Sequence, residues 1–239
     1  MFACLLVASS CFAQTAREHL SWVADTYRHL KTFQVEAEVE RVLVGQPASP
    51  LKVGVALYVE QPDNVRIDVK ANRSLLVTLI SNGYSVVEYK APIKECSRGP
   101  GKFSAGFDPD RGTGLGEMMY GDITEGVRKT TIRGQQTLVL GKERIACVVV
   151  DVEYSTAKRN EVKYSFWIAR GLVFRRAVTF SDGKETHTLV SSVTALTANA
   201  DLPENTFEFS PPPGIKQVSP PSAYGLVAKS AVRLPYSFR

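Results

Sequence analysis

Short stretches in which apolar and polar residues alternate, separated by turn signals, recur along most of this chain and constrain its fold more than any other feature. Residues 33–39 alternate apolar side chains with Gln and Glu, which is typical of a strand with one buried face. Asn82-Gly83 separates apolar runs at 75–80 and 84–89, the strongest short-range signal for a β-hairpin. Other turn signals lie at 45–50, 141–143, 170–171 and 182–183. We therefore predict an antiparallel meander of about nine strands in a mainly β (α+β) domain.

One amphipathic helix precedes the predicted sheet. In residues 16–30 the apolar side chains, including Leu20, Val23 and Tyr27, recur at helical spacing along one stripe. The strands carry one apolar face and few glycines, which favours a curved sheet around a single interior. The helix is therefore predicted to cover the open side of this sheet. A short helix at 115–120, inside a loop rich in Gly, Pro and Ser at 96–116, is expected to help cover it.

The beginning of the chain has the pattern of an export signal. Residues 2–13 are uncharged, largely apolar and end in small side chains, and the run is too short to span a membrane as a helix. We therefore expect a signal peptide at 1–13 and a periplasmic protein. The alternatives are an outer-membrane lipoprotein anchored through Cys11 and an N-terminal strand or buried helix start. The remainder is expected to form one domain at 14–216 and an irregular Pro- and Ser-rich extension at 217–239.

Two cysteines remain after removal of the predicted signal peptide. Cys96 and Cys147 could form one disulfide in an oxidising compartment. The alternative is a buried thiol at Cys147, because this residue lies inside the apolar run 145–150. Sequence leaves both alternatives open, since a disulfide depends on the separation and direction of the two side chains.

The chain is poor in side chains that carry catalysis or bind metals. The three histidines, His19, His29 and His187, are not spaced to surround one metal. No serine lies in a nucleophile elbow, and no carboxylates form an assignable acid–base pair. A net charge of +5 and a pI near 9.0 are too modest to indicate nucleic-acid binding. We therefore predict a protein that binds and does not catalyse, with no cofactor, metal or nucleic acid.

The second half of the chain contains a basic hairpin. Arg170, Arg175 and Arg176 follow the basic residues of the segment 158–163. This pattern favours a solvated outer face. The alternative is a patch that meets an anionic lipid headgroup or an acidic partner.

Four segments, in this order, carry a resemblance to a known family. They are the helix-to-strand junction YRHLKTFQVEAEVE at 27–40, the strand–turn–strand segment LYVEQPDNVRIDV at 57–69, the hairpin LISNGYSVVEY at 79–89 and the closing segment FEFSPPPGI at 207–215. Together they resemble the periplasmic lipoprotein carriers LolA and LolB and the related domain of stress sensors of the MucB/RseB type. The resemblance covers nearly the whole predicted mature chain.

This resemblance implies an incomplete, strongly curved antiparallel β-barrel with lid helices over an apolar cavity. In the carriers, the cavity takes the acyl chains of lipoproteins. The lid would include Leu20, Val23 and Tyr27. The alternative for the apolar strand residues is that they only form a packed core. The residues expected to line the cavity are Val35, Ala37, Val39, Val55, Leu57, Val59, Val65 and Ile67.

One departure from the carriers lies at the lid. The carriers have an arginine immediately before the proline of the second segment, and this arginine clasps the lid helix. Here the position is Gln61. An amide still hydrogen-bonds a helix carbonyl but lacks the charge and the planar fork of a guanidinium. Gln61 is therefore expected to act at the gate without the ionic clasp of the carriers.

The function implied by the resemblance is that of an exported carrier. It would hold a lipid, or the acyl chains of a lipoprotein, as in outer-membrane lipoprotein sorting. A membrane-bound donor or acceptor protein could be its partner. The alternative is a regulatory interaction protein similar to the MucB/RseB envelope-stress sensors.

Overall fold

The computed structural model of the chain describes residues 14–43, 51–102, 106–107, 118–155, 162–181 and 186–219. These ranges contain helix α1 (Ala16–His29), a 3-10 turn at Ala91–Ile93 and twelve strands. The strands are β1 (Thr32–Leu43), β2 (Leu51–Glu60), β3 (Asn64–Ala71), β4 (Ser74–Asn82), β5 (Ser85–Lys90), β6 (Glu95–Pro100), β7 (Val127–Leu140), β8 (Glu143–Tyr154), β9 (Lys163–Ala169), β10 (Leu172–Ser181), β11 (Thr186–Ala198) and β12 (Lys216–Val218).

All twelve strands form one sheet, in the order β12-β6-β5-β4-β3-β2-β1-β11-β10-β9-β8-β7. Each half of the sheet is an antiparallel meander, and β1 joins the two halves by pairing with β11. The only parallel pair among the strands named above is β12 with β6. The sheet is not closed, since β12 and β7 stand at its two ends. The predicted fold class, an open, curved, mainly β half-barrel, is therefore confirmed.

The predicted hairpin turns rest on left-handed backbone conformations. Gly83, Gly141 and Gly171 have φ values of +80°, +59° and +72°. Glycine adopts this region without the steric penalty that a Cβ atom brings, so each glycine permits a tight reversal between neighbouring strands. The predicted turns at 45–50 and 182–183 lie outside the described residues.

Helix α1 is confirmed, and it begins at a capping box. Thr15 Oγ1 accepts the backbone N–H of Glu18 at 3.2 Å, and the Glu18 carboxylate accepts the backbone N–H of Thr15 at 2.6 Å. These bonds satisfy two donors that a helix start leaves free. No helix in the described ranges combines the length and apolar character needed to cross a membrane. The buried stripe of α1 consists of Ala16, His19, Leu20, Val23, Ala24 and Tyr27.

Two strands lie where irregular structure was expected. β6 places Cys96 opposite Tyr89 of β5, so the predicted loop at 96–116 begins as a strand. β12 places Gln217 beside Cys96, so the predicted extension at 217–239 also begins as a strand, and its residues from 220 onward lie outside the described ranges. Backbone hydrogen bonds form both strands. Such pairing does not require alternating apolar and polar residues, so the sequence carried no signal for either strand. The expected count of about nine strands is therefore too low.

The short helix predicted at 115–120 is wrong for the part that the structure describes. Residues 118–120 are not helical, and Met119 forms a parallel bridge with Gly106. The backbone N–H of Phe107 donates to the carbonyl of Met119 at 2.8 Å. One lid helix, α1, is therefore present in the described ranges, where lid helices were expected. We call residues 106–107 and 118–123 the plug segment.

Cys96 and Cys147 are free, buried thiols, so of the two alternatives left open by the sequence the disulfide is excluded. Their strands, β6 and β8, lie near opposite ends of the sheet, and a disulfide requires adjacent side chains. Cys96 packs in an apolar cluster with Tyr89, and Cys147 packs in a different cluster with Trp167. The alternative of a buried thiol at Cys147 is confirmed, and burial raises the pKa of Cys147 to about 11.

The closing segment at 207–215 covers the outer face of β4, β5 and β6. Phe207, Phe209 and Ile215 pack against the cluster that contains Cys96. The rings of Phe209 and Tyr89 lie 5.3 Å apart. A groove of about 300 Å³ remains between this segment and the strands. The segment therefore stabilises one end of the sheet from the side opposite to α1.

Candidate ligand-binding face

The eight residues predicted to line a cavity lie together on the concave face of the sheet, which α1 covers. The strand register places Val35 opposite Leu57 and Leu57 opposite Ile67, so these side chains share one face. All eight are buried, and none is more than 4% exposed. The structure thus brings the set together, and its role in holding a ligand stays a prediction. We call these eight residues the floor: Val35, Ala37, Val39, Val55, Leu57, Val59, Val65 and Ile67.

The predicted lid residues face the floor. Leu20, Val23 and Tyr27 are at most 1% exposed and belong to the same apolar cluster as the floor. The Tyr27 hydroxyl accepts the backbone N–H of Val173 at 3.3 Å, and its ring meets that of Tyr120 edge to face at 5.2 Å. Burial raises the pKa of Tyr27 well above its usual value. Tyr27 therefore joins α1 to both the sheet and the plug segment.

Gln61 makes the lid contact that an amide permits. Its Nε2 donates to the carbonyl of Tyr27 at 3.1 Å, and its backbone N–H donates to the carbonyl of Lys31 at 2.9 Å. The backbone N–H of Lys31 in turn donates to Asn199 Oδ1 at 2.8 Å. The junction between α1 and β1 is thus fixed from two sides.

The turn between β9 and β10 supports the helix from the second half of the sheet. A Cβ atom built on Gly171 would collide with Thr26 Oγ1 and would lie 3.1 Å from Trp22 Nε1. Thr26 itself donates to the carbonyl of Trp22 at 2.8 Å. Only a residue without a side chain allows α1 to approach this closely.

The plug segment fills an aromatic pit in the second half of the concave face. The ring of Phe107 lies 5.3 to 5.8 Å from those of Tyr120, Tyr154, Tyr164 and Phe166. These distances are typical of interacting aromatic pairs. The sequence offered only a weak signal for this contact, one of two phenylalanines in a glycine-rich stretch. The pit was therefore missed.

The concave interior is packed in the described part of the chain. The floor, the buried stripe of α1 and the plug segment belong to one apolar cluster. A gap of about 10 Å³ remains beside Met118, Tyr120, Arg176 and Ser191, at the lower limit for a single water molecule. An acyl chain can therefore lie on the floor only when α1 or the plug segment moves.

Arg176 is buried on the concave face, so the predicted solvated position is wrong for this residue. Its side chain is 1% exposed, and it is in phase with the buried Val178 two residues later. Arg175 points to the opposite face, where its guanidinium carbon lies 5.0 Å from the centre of the Trp167 ring. The strand period of two therefore indicates an inward side chain for Arg176, although the charge of this residue favoured an outward prediction.

The comparisons with known proteins find similar structures. No protein-family model matches the chain, and no curated protein matches its sequence. A solved structure of an uncharacterized conserved protein from Thermus thermophilus has a TM-score of 0.51 and 13% identity, over 87% of this chain and 100% of that one. A LolA superfamily protein from Nitrosomonas europaea has a TM-score of 0.49 and 10% identity, over 82% and 99%. MucB of Pseudomonas aeruginosa, solved with MucA, has a TM-score of 0.46 and 14% identity, over 82% and 61%.

Similarity at these identities concerns the fold alone. The Thermus structure aligns along its whole length with this open sheet and helix α1. The fold expected from the four sequence segments, an open half-barrel with a helix over its concave face, is the fold that the chain has. What the half-barrel binds is a separate question, which the packing of its concave face addresses.

Proposed function

We propose that this protein is an exported carrier of the cell envelope that holds a lipid, or the acyl chains of a lipoprotein, on the floor beneath α1 and the plug segment. The observation that supports this most is the nature of the cover. A helix and a loop segment cover one continuous apolar face, which is aliphatic under α1 and aromatic under the plug segment. Export through a signal peptide at 1–13, a periplasmic location and transfer to or from a membrane-bound protein are parts of the same proposal.

The energetics of exchange favour an acyl chain. Full burial of a phenylalanine side chain is worth about 1.5–3 kcal/mol, and each buried methylene is worth about 0.8 kcal/mol. An acyl chain that displaces Phe107 therefore offsets that loss with about four methylenes. The remaining methylenes of a long chain would stabilise the bound state.

The attachment of α1 suggests how the ligand would enter and leave. The C-terminal end of the helix is held by Gln61, and the capping box at the other end involves only Thr15 and Glu18 of the helix start itself. Opening would break the bond between Gln61 and Tyr27 and swing α1 about its covalent connection to β1, which would uncover the floor without unfolding the sheet. The rate of this opening would set the rate of ligand release.

A fluorescent fatty-acid probe tests this proposal. Phe107→Ala removes a side chain from the interior, and Phe207→Ala removes the same side chain from the outer face, where it packs against the cluster of Cys96. We expect the wild-type protein to bind the probe, Phe107→Ala to bind it about tenfold more tightly, and Phe207→Ala to stay within about twofold of wild type. Failure of all three proteins to bind the probe would contradict the proposed function. Equal affinities of the two variants would contradict the role of the plug segment.

A further inference from the structure

A charged side chain lies in the middle of the apolar concave face. Arg176 of β10 stands in register between Phe166 of β9 and Ser191 of β11, and these residues are 1%, 0% and 5% exposed. Opposed residues of antiparallel strands point to the same side of a sheet. The guanidinium of Arg176 and the hydroxyl of Ser191 therefore belong to the face that the proposed function assigns to the ligand.

The hydroxyl of Ser191 supplies a second, independent observation. Its Oγ is buried and has no hydrogen-bond partner within the ranges that the structure describes. Ser191 and Arg176 both line the gap of about 10 Å³, together with Ala37 and Val193. Ala37 and Val193 have small side chains, so the space beside the arginine and the serine is bordered in part by groups of little bulk.

The chemistry of this pair indicates the group that it would bind. A guanidinium presents several N–H donors in a rigid plane that matches a carboxylate or a phosphate. A hydroxyl adds one further donor. In a low-dielectric interior, charge-assisted N–H bonds from a guanidinium to a carboxylate or phosphate are stronger than hydrogen bonds to a neutral hydroxyl. The pair therefore favours an anionic head group over an uncharged polar one.

We propose that Arg176 and Ser191 form an anion subsite for the head group of a single-chain amphiphile, such as a long-chain carboxylate. The chain would extend from this subsite along the floor. Met118 and Tyr120 of the plug segment line the other side of the gap, so they would move aside when the head group enters. This inference rests on the proposed function and adds to it the class of ligand.

A pair of ligands that differ only in the head group tests the subsite in the unmodified protein. Oleic acid and oleyl alcohol share one chain, and oleoyl lysophosphatidic acid carries the same acyl chain on a phosphate head. We expect delipidated wild-type protein to bind oleic acid at pH 8 at least tenfold more tightly than oleyl alcohol, measured by displacement of a fluorescent probe. A preference for lysophosphatidic acid over oleic acid would identify the natural anion as a phosphate and would support the subsite equally.

Two arginines, one buried and one exposed, provide a pair of variants. Arg176→Met removes the buried cation, and Arg144→Met removes the same charge from an exposed position on β8 that does not border the gap. We expect Arg176→Met to lose about tenfold to a hundredfold in affinity for oleic acid, with its affinity for oleyl alcohol within about threefold of wild type. Arg144→Met should keep both affinities. Ser191→Ala, which removes only a hydroxyl, should weaken oleic acid alone by a smaller factor.

The possible outcomes separate this inference from the proposed function. If none of the three ligands binds, the proposed function fails. If oleic acid and oleyl alcohol bind wild-type protein equally, the anion subsite is wrong while the carrier function stands. If Arg176→Met does not fold, as judged by circular dichroism, the ligand pair on wild type and the Ser191→Ala variant still decide the question.

Discussion

The two halves of the concave face differ in composition and in cover. The half built by β1, β2 and β3 is an aliphatic floor, mostly of valine, leucine and isoleucine, and the stripe of α1 packs against the same cluster. The half built by β8, β9 and β10 presents aromatic rings and a buried arginine, and the plug segment fills it. In the proposed function, the two halves would therefore have different roles. The first half offers apolar area that suits any acyl chain, and the second half holds the groups that would distinguish one head group from another.

Helix α1 is the element that both halves share. Gln61 holds it from the first half, and the turn at Gly171 supports it from the second. Opening of the lid therefore has to release contacts on both sides. Four predictions measure how much each half contributes, from the largest expected effect to the smallest.

The first prediction concerns the packing of the floor. Leu57 is 0% exposed, so Leu57→Ala should lower the free energy of unfolding by about 2–5 kcal/mol in urea denaturation. Val139→Ala, at a site that is 67% exposed, should change it by less than about 0.5 kcal/mol. A loss below about 1 kcal/mol for Leu57→Ala would mean that the floor already borders an open cavity.

The second prediction isolates the support that the second half gives to the helix. Gly171→Ala and Gly141→Ala both place a Cβ atom at positive φ in a two-residue turn, at the second turn residue for Gly171 and at the first for Gly141. Of the two, Gly171 alone has helix atoms in the way. Gly141→Ala should cost about 1 kcal/mol, and Gly171→Ala should cost about 1–2 kcal/mol more. Thermal unfolding measures the difference, and a shift in Trp22 emission reports displacement of α1. Equal costs in the two variants would show that the turn does not support the helix.

The third prediction concerns the hold of the first half. Gln61→Ala removes the hydrogen bond to the Tyr27 carbonyl and should cost about 1 kcal/mol. Amide hydrogen exchange in α1 should then be about fivefold faster, since the lid opens more often. Asn64→Ala, which removes a side-chain bond to Glu60 in the same turn region, should leave exchange in α1 unchanged. Faster amide exchange throughout the sheet would indicate that Gln61→Ala destabilises the whole protein, and would contradict a specific role of Gln61 in holding α1.

The fourth prediction concerns pH. Burial lowers the pKa of His19, on the buried stripe of α1, below 6.5, and the nearby Glu18 carboxylate opposes this only in part. The unfolded chain then binds the proton more readily, so this contribution to stability is present above about pH 6.5 and is lost as the pH falls toward the lowered pKa. His19→Gln should flatten the stability profile between pH 7 and 5 relative to wild type. His29→Gln, on the same helix and exposed, serves as the control, and an identical change in both variants would contradict the assignment.

The sequence predicted the first half of the concave face more completely than the second. Val35, Leu57 and Ile67 alternate with polar or smaller neighbours, and the strand period of two then decides which face they share. The turn at 61–63 fixes the register between β2 and β3. The contact between Gln61 and α1 followed from a resemblance to the carriers, since no local pattern specifies it.

The second half depends on contacts that local patterns do not specify. Phe107 lies in the aromatic pit because the neighbouring Gly106 forms a bridge with Met119. These two residues are distant in the sequence, and such a bridge produces no periodic pattern of apolar residues. Arg176 lies at an inward position, but its charge favours an outward prediction. The sequence left the disulfide open because Cys96 and Cys147 are suitable by type, while their strands lie near opposite ends of the sheet.

The most direct test of the central claim is native mass spectrometry of the protein purified from the cell envelope without detergent. The proposed function predicts a mature chain that carries about one amphiphile, which denaturation releases and lipid extraction identifies. The anion subsite further predicts that this amphiphile has a carboxylate or phosphate head. A bare chain, with no amphiphile in the extract, would contradict the carrier function.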